Sequence, residues 1–162
     1  EVKHTVSPSM DIQVASNFER LIFDICSSSS SKTLKMMKNL IDLGEFKLEK
    51  EELKKIRENF CSESLSDTET KSIIREIYKN RKTLIDPHTA VAIGAVNKIS
   101  LKEKTIVLST AHPSKFLDVV SQETDTKPEL PENLKDILTK KEKYEKFPKD
   151  LKKIKNYILA NV

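Results

Sequence analysis

Apolar residues recur every three or four positions along most of this chain, and polar residues occupy the positions between them. This spacing places the apolar side chains on one face of a helix, which can then pack against a core. The pattern predicts helices at 16–25, 34–44, 53–60, 66–78, 116–120, 134–138 and 151–158.

Two shorter stretches have a different pattern. Residues 10–14 alternate apolar and polar side chains, the period of a half-buried strand, whereas 106–109 begins with three apolar residues in succession, as in a strand covered on both faces. Two strands cannot form a sheet that covers one of them on both faces. We therefore predict an α/β fold that is helix-rich with few strands, with most of its sheet encoded before Glu1.

Several helix ends are indicated by capping residues. In a capping box, a serine and a glutamate three positions later each bond the other's backbone amide. Two pairs have this spacing: Ser16 with Glu19, and Ser66 with Glu69. Gly44 is a predicted C-terminal cap, and the serines at 27–31 predict a flexible connection.

A further helix is predicted after Pro87, where residues 89–96 are small and almost wholly apolar. Because proline disfavours the helical conformation for the residue before it, Asp86 should lie outside the helix. A helix that is apolar on all sides must be buried, so this loop and helix are expected to belong to the core.

The composition excludes several classes of protein. The chain has 162 residues, of which 37% are hydrophobic and 33% charged, and its net charge of +4 comes from lysines scattered over helical stretches, so we expect no nucleic-acid partner. No apolar run approaches the roughly 20 residues that span a bilayer, so we expect no membrane partner. Two distant cysteines and no secretory signal favour a reducing cytoplasm, and three separated histidines give no metal site.

The most informative candidate for ligand binding follows the second predicted strand. Its apolar run stops at Ser109 and Thr110, crosses Ala111, His112 and Pro113, and continues as a helix. Ligands of open α/β sheets bind at the carboxyl ends of strands, which makes the Thr110 hydroxyl a candidate contact. Because the chain has only two isolated glycines, it contains no glycine-rich phosphate loop.

Three segments resemble the C-terminal half of the bacterial threonine synthases, which depend on pyridoxal 5'-phosphate (PLP). They read SPSMDIQVASNFER at 7–20, IDPHTAVA at 85–92 and VLSTAHPSKF at 107–116, and they occur in the order found in that family. The resemblance implies the C-terminal part of a fold of the tryptophan synthase β-subunit group (fold type II). It also implies conversion of O-phospho-L-homoserine and water to L-threonine and phosphate.

The resemblance also suggests residues that contact the cofactor. In that group, a hydroxyl residue at the end of a late strand bonds the pyridine nitrogen of PLP; Thr110 matches it, and Ser109 is the fallback. The loop with Asp86 and His88 would border the cofactor ring, although a helix cap is the plainer role. His112 is adjacent to the same site, with an equally plausible role in holding its turn.

The resemblance implies that the catalytic machinery is incomplete in these 162 residues. The family's cofactor-bearing lysine comes much earlier in the full protein, and Lys115 does not match it. We therefore expect no catalytic residue here, no turnover by this chain alone, and the N-terminal half of the same protein as its partner. The alternative is a non-catalytic basic helical interaction module.

Four segments are predicted. They are 1–26, a strand and helix of the core; 27–82, a helical insertion; 83–125, a core segment with the cofactor-facing strand; and 126–162, a C-terminal helical tail.

Overall fold

The computed structural model describes residues 3–100 and 103–162, and all regular structure in these ranges is helical. The seven α-helices are α1 (Ser16–Ile25), α2 (Ser30–Leu43), α3 (Lys50–Asn59), α4 (Asp67–Arg81), α5 (Pro87–Ile99), α6 (Leu117–Thr124) and α7 (Leu151–Ala160). Short 3₁₀ helices lie at Pro8–Met10, Pro113–Phe116 and Glu132–Leu134. The chain divides into two compact units, Glu1–Glu129 and Leu130–Val162.

The first unit contains two clusters of buried apolar side chains. One cluster joins α1, α2 and α3; its buried members are Ile22, Ile25, Cys26 and Met36. The other joins α4, α5 and α6; its buried members are Ile74, Ile85 and Ala90, with Val119 packed against them. Burial of apolar surface at about 25 cal/mol per Å² is what stabilises such clusters. The second cluster positions the start of α5, which carries the candidate site.

A pair formed by a buried carboxylate and a half-buried lysine supplements the apolar packing between α2 and α3. The Glu52 carboxylate is buried, and it accepts a hydrogen bond from the Lys32 ammonium group. That hydrogen bond, followed by one from the Glu49 backbone amide at 2.8 Å, lowers the pKa of Glu52 below its ordinary value. The pair therefore fixes how the two helices meet.

Most of the predicted helices are confirmed, together with two predicted caps. Gly44 ends α2 in the left-handed conformation, with φ at 76°, and Ser66 and Glu69 form both bonds of a capping box at the start of α4. The serine-rich connection at 27–31, predicted to be flexible, forms a turn and then the start of α2, where Ser29 Oγ accepts a hydrogen bond from Lys32 N.

Two local predictions are wrong. Helix α1 begins at Ser16 itself, so Ala15 occupies the cap position and no side-chain capping bond forms there. The segment 134–138 is not an α-helix: a 3₁₀ helix at Glu132–Leu134 is followed by turns. The first error is a shift of the cap by one residue, and the second concerns a short exposed stretch. The spacing of apolar residues does not resolve either difference.

Both predicted strands are also absent from the described residues. Residues 11–15 and 104–110 have no regular structure, and their apolar side chains face solvent, with Ile12 62% exposed and Ile106 88% exposed. A strand requires a neighbouring strand to accept and donate its backbone hydrogen bonds. Neither segment has such a neighbour within the described part of this chain, so the apolar pattern records surface that this chain does not cover.

The second unit is small and largely exposed. Helix α7 is capped by Asp150, whose carboxylate accepts hydrogen bonds from Lys152 N at 2.9 Å and Lys153 N at 3.2 Å. The rings of Phe147 and Tyr157 lie 4.6 Å apart and tilted, which is a favourable arrangement for two aromatic side chains. No helix in the described ranges is long and apolar enough to cross a membrane.

The limits of the four predicted segments stay a prediction. The packing joins α4 to α5 and α6, although the sequence placed α4 with α2 and α3 in 27–82. Residues 1 and 2 of the first predicted segment, and 101 and 102 of the third, lie outside the described residues.

The start of α4 is bonded to the end of α5 through a charged side chain. Lys98 Nζ lies 2.8 Å from Glu69 Oε1, and the Ser66 amide donates to Glu69 Oε2 at 2.7 Å. The Lys98 hydrogen bond, aided by the Ser66 amide and hydroxyl, lowers the pKa of Glu69 from 4.5 to about 2.

We expect acid to weaken this connection. Because the pKa of Glu69 is lower in the folded chain than in the unfolded chain, its charge stabilises the fold above about pH 4.5, and this contribution is lost as the pH falls towards 2. Thermal unfolding measured from neutral to acid pH should therefore show a flatter loss of stability in Glu69→Gln. In the control Glu76→Gln, an exposed position on the same helix, the original slope should persist.

Candidate functional site

The three sequence segments singled out above meet at the start of α5. The Ser9 amide donates to His88 Nε2 at 3.1 Å, which joins the first segment to the second. Thr89 Oγ1 lies 3.3 Å from Ser109 Oγ, which joins the second to the third. The His88 and Phe116 rings also pack with their centroids 4.8 Å apart. Segments about 80 residues and 20 residues apart in the chain are thus brought to one place.

Asp86 is at the centre of this arrangement, and it is fully buried. Its Oδ2 accepts hydrogen bonds from the His88 amide at 3.0 Å and from His88 Nδ1 at 2.8 Å. Its Oδ1 accepts from the Thr89 amide at 3.2 Å and from the Thr89 hydroxyl. A carboxylate at a helix N-terminus is favoured both by these donors and by the helix dipole. The predicted capping role of Asp86 is therefore confirmed.

His88 is buried and uses both of its ring nitrogens. Because Nε2 accepts from the Ser9 amide, the ring proton is assigned to Nδ1, which donates it to Asp86. An imidazole bonded on both sides has no nitrogen left for a ligand. Asp86 and His88 thus hold the loop in place, and a direct contact of either with a cofactor stays a prediction.

The turn that presents the Ser9 amide is itself held by a carboxylate. Asp11 Oδ2 accepts from the Thr5 amide and Oδ1 from the Thr5 hydroxyl, both at 2.7 Å. These hydrogen bonds lower the pKa of Asp11 below its ordinary value, and the hydrogen bond from the Thr5 amide has the larger effect. The first segment therefore reaches His88 as a defined turn.

Ser109 and Thr110 lie at the end of the irregular segment 104–110, and both are exposed. The Ser109 hydroxyl contacts Thr89, whereas the Thr110 hydroxyl has no hydrogen-bond partner within residues 3–100 and 103–162. A hydroxyl can donate one hydrogen bond and accept two, so Thr110 is available to a ligand that presents an acceptor.

His112 caps the 3₁₀ helix that follows this segment. Its Nδ1 accepts from the Ser114 amide at 3.3 Å and lies 2.8 Å from the Ser114 hydroxyl. The predicted role in holding the turn is therefore observed. Its side chain is exposed, and contact with a ligand stays a prediction.

A cavity of about 780 Å³ lies elsewhere, between the N-terminal segment, the loop before α4, the start of α4 and the outer part of α5. Its lining includes Ser7, Asp67 and Lys98, but neither Ser109 nor Thr110. Within the described residues, no group of three histidine, cysteine or acidic side chains could hold a metal ion.

Thr89 is the residue of this site that the sequence analysis missed. A signal was present, because Asp86 and Thr89 have the same three-residue separation as Ser66 and Glu69, which was read as a capping pair. The contact of Thr89 with Ser109 joins positions 20 residues apart and has no local signature.

Comparison with known proteins gives a consistent family. The family model described as threonine synthase, C-terminal, matches residues 89–158. The chain is 33% identical over 157 residues to threonine synthase of Pseudomonas aeruginosa, and the matched region covers 95% of this chain and 34% of that protein. It is also 33% identical over 184 residues to threonine synthase of Saccharomyces cerevisiae, which covers 98% of this chain and 36% of that protein.

Solved structures agree with these relatives. PLP-bound threonine synthase from Brucella melitensis superposes with a TM-score of 0.78 at 32% identity, covering 99% of this chain and 35% of that one. Threonine synthase from yeast superposes with a TM-score of 0.74 at 31% identity, covering 100% and 38%. The chain spans about a third of the length of the curated relatives it matches.

Proposed function

Since this chain belongs to the threonine synthase family, we propose that it acts as the C-terminal region of an enzyme that converts O-phospho-L-homoserine and water to L-threonine and phosphate. The enzyme breaks the bond between the γ carbon and the phosphate oxygen, and water supplies the new hydroxyl at the β carbon. PLP would be its cofactor.

The observation that carries this proposal is the meeting of the three family segments around one buried carboxylate. Asp86 bonds directly to His88 and Thr89, and through them it reaches Ser9 and Ser109. Segments that resemble an enzyme family and also form one hydrogen-bonded unit are expected to share a functional role, and a collection of unrelated surface loops would not form such a unit.

The Thr110 hydroxyl at the end of the segment 104–110 fits the pyridine nitrogen of PLP. Its unprotonated ring nitrogen is a hydrogen-bond acceptor, and the Thr110 hydroxyl is an exposed donor with no partner in the described ranges. PLP supplies an electron sink for breaking bonds at the substrate carbons. Thr110 would bond the ring nitrogen as a neutral donor and leave it unprotonated, whereas a carboxylate there would favour the protonated ring.

The exposed apolar segments support an incomplete sheet. Ile106 and Leu108 are 88% and 71% exposed, and Met10, Ile12 and Val14 are also exposed on alternate positions. We propose that both segments become strands of a fold type II enzyme when the N-terminal half of the protein supplies their neighbours. That half would also supply the cofactor-bearing lysine and the phosphate cradle.

The protein encoded by the complete gene tests the proposal. We expect that protein, purified with PLP, to release phosphate from O-phospho-L-homoserine and to form an equal amount of threonine. The 162 residues alone should give neither product above background. A complete protein that binds no PLP and forms no threonine would contradict the proposed function and favour the basic interaction module. Turnover by the 162 residues alone would contradict the proposed division of the site.

A further inference from the structure

The polar contact between Thr89 and Ser109 links a helix start to an otherwise unsupported segment. Residues 104–110 have no regular structure, and the two neighbours of Ser109, Leu108 and Thr110, have exposed side chains. Thr89 is buried in the first turn of α5, and its Oγ1 lies 3.3 Å from Ser109 Oγ. Within the described ranges, this contact is the one side-chain hydrogen bond that joins residues 103–110 to another element.

The direction of this hydrogen bond follows from counting protons. Thr89 Oγ1 lies within hydrogen-bonding distance of both the Asp86 carboxylate and the Ser109 hydroxyl, but it carries one proton. A carboxylate is the stronger acceptor and here is the closer one, so the Thr89 proton belongs to Asp86. The remaining contact is then satisfied when the Ser109 hydroxyl gives its proton to Thr89 Oγ1.

This assignment separates the two candidate hydroxyls. With its proton directed at Thr89, the exposed Ser109 hydroxyl presents only lone pairs outward. Thr110, the next residue, keeps its proton available. We propose that Thr89, oriented by Asp86, is a positioning residue that engages Ser109 and thereby leaves Thr110 as the donor to the cofactor nitrogen. This inference rests on the function proposed above.

Thr89 differs in this respect from the other buried threonines that bond near a helix start. Thr70 in α4 donates to Ser66 O at 3.0 Å, and Thr33 in α2 donates to Ser29 O at 3.0 Å. Both bonds stay within one helical turn and reach no other segment of the chain. Thr89 instead lies between the buried Asp86 and a segment 20 residues away. Thr70→Val is therefore a matched control, because it removes a buried hydroxyl without touching the site.

The experiment uses the complete protein and measures PLP affinity by fluorescence titration and the visible circular dichroism of bound PLP. We expect Thr89→Val to weaken PLP affinity about tenfold, as for loss of a typical hydrogen bond, and to change the dichroism. Thr89→Ser, which keeps the hydroxyl, should restore both to near the wild-type values. Thr70→Val should lower the unfolding temperature and leave both cofactor signals unchanged.

A double-mutant cycle tests whether the effect passes through Ser109. If Thr89 acts by engaging Ser109, then Thr89→Val combined with Ser109→Ala should weaken PLP affinity no more than either single change. Additive losses, or wild-type affinity and dichroism in Thr89→Val, would overturn the positioning role. In either case a wild-type protein that binds PLP and forms threonine leaves the proposed function intact, whereas a wild-type protein that does neither contradicts that function itself.

Discussion

Replacing Asp86 with alanine is expected to destabilise the first unit by about 3–5 kcal/mol, because several buried donors lose their charged acceptor at once. The carboxylate is fully buried and accepts four hydrogen bonds, two through each oxygen. Alanine would leave the amides of His88 and Thr89 and two side-chain donors without acceptors. Each buried donor left unpaired costs about 1–3 kcal/mol.

Urea unfolding followed by far-ultraviolet circular dichroism measures this loss. Ser66→Ala is the matched control, because Ser66 caps α4 in the same unit from an exposed position. Loss of an exposed cap costs about 1 kcal/mol. If Asp86→Ala were no more costly than Ser66→Ala, the four-donor arrangement around Asp86 could not be what holds the three segments together.

Replacing Thr110 with valine is expected to lower threonine formation by the complete protein by about ten- to a hundredfold, equivalent to about 1–3 kcal/mol for a buried acceptor that loses its donor. Valine keeps the shape of threonine and removes the hydroxyl. Because Thr110 is exposed and unbonded in the described part of the chain, its replacement should not affect folding.

Steady-state kinetics and thermal unfolding of the same variant separate these effects. Thr105→Val is a suitable control, since Thr105 lies five residues earlier in the segment and, within the described residues, its hydroxyl bonds only to Glu103 O, at 3.1 Å. It should retain wild-type turnover. Wild-type turnover in Thr110→Val would remove this residue from the site, and unfolding of that variant at a lower temperature would indicate a structural role.

The parts of the fold that the sequence predicts are those encoded by short-range interactions. The capping box of Ser66 and Glu69 and the left-handed Gly44 require only residues within one or two turns. The prediction of two strands was wrong because strand pairing depends on two segments at once. The apolar pattern at 106–108 indicates a surface that becomes covered, but it does not specify which segment covers it.

The candidate site shows the same division. The role of Asp86 as a cap was predictable because proline follows it and a helix begins there. The hydrogen bond from the Ser9 amide to His88 joins residues 79 positions apart, and no local sequence pattern predicts it. The resemblance selected three segments that do meet in the structure, but their mutual contacts are not encoded in any one of them.

The apolar side chains of Ile106 and Leu108 have a consequence for how the polypeptide is handled in a cell. A hydrophobic run such as 106–108, which pairs with no strand in the described residues, is a template for association with identical copies, and so for aggregation. Glu103 and Lys104, both exposed, immediately precede this segment and place charges where gatekeeper residues usually oppose such stacking. If the N-terminal half supplies the neighbouring strands as proposed, this segment would be a target for chaperones until it pairs with them.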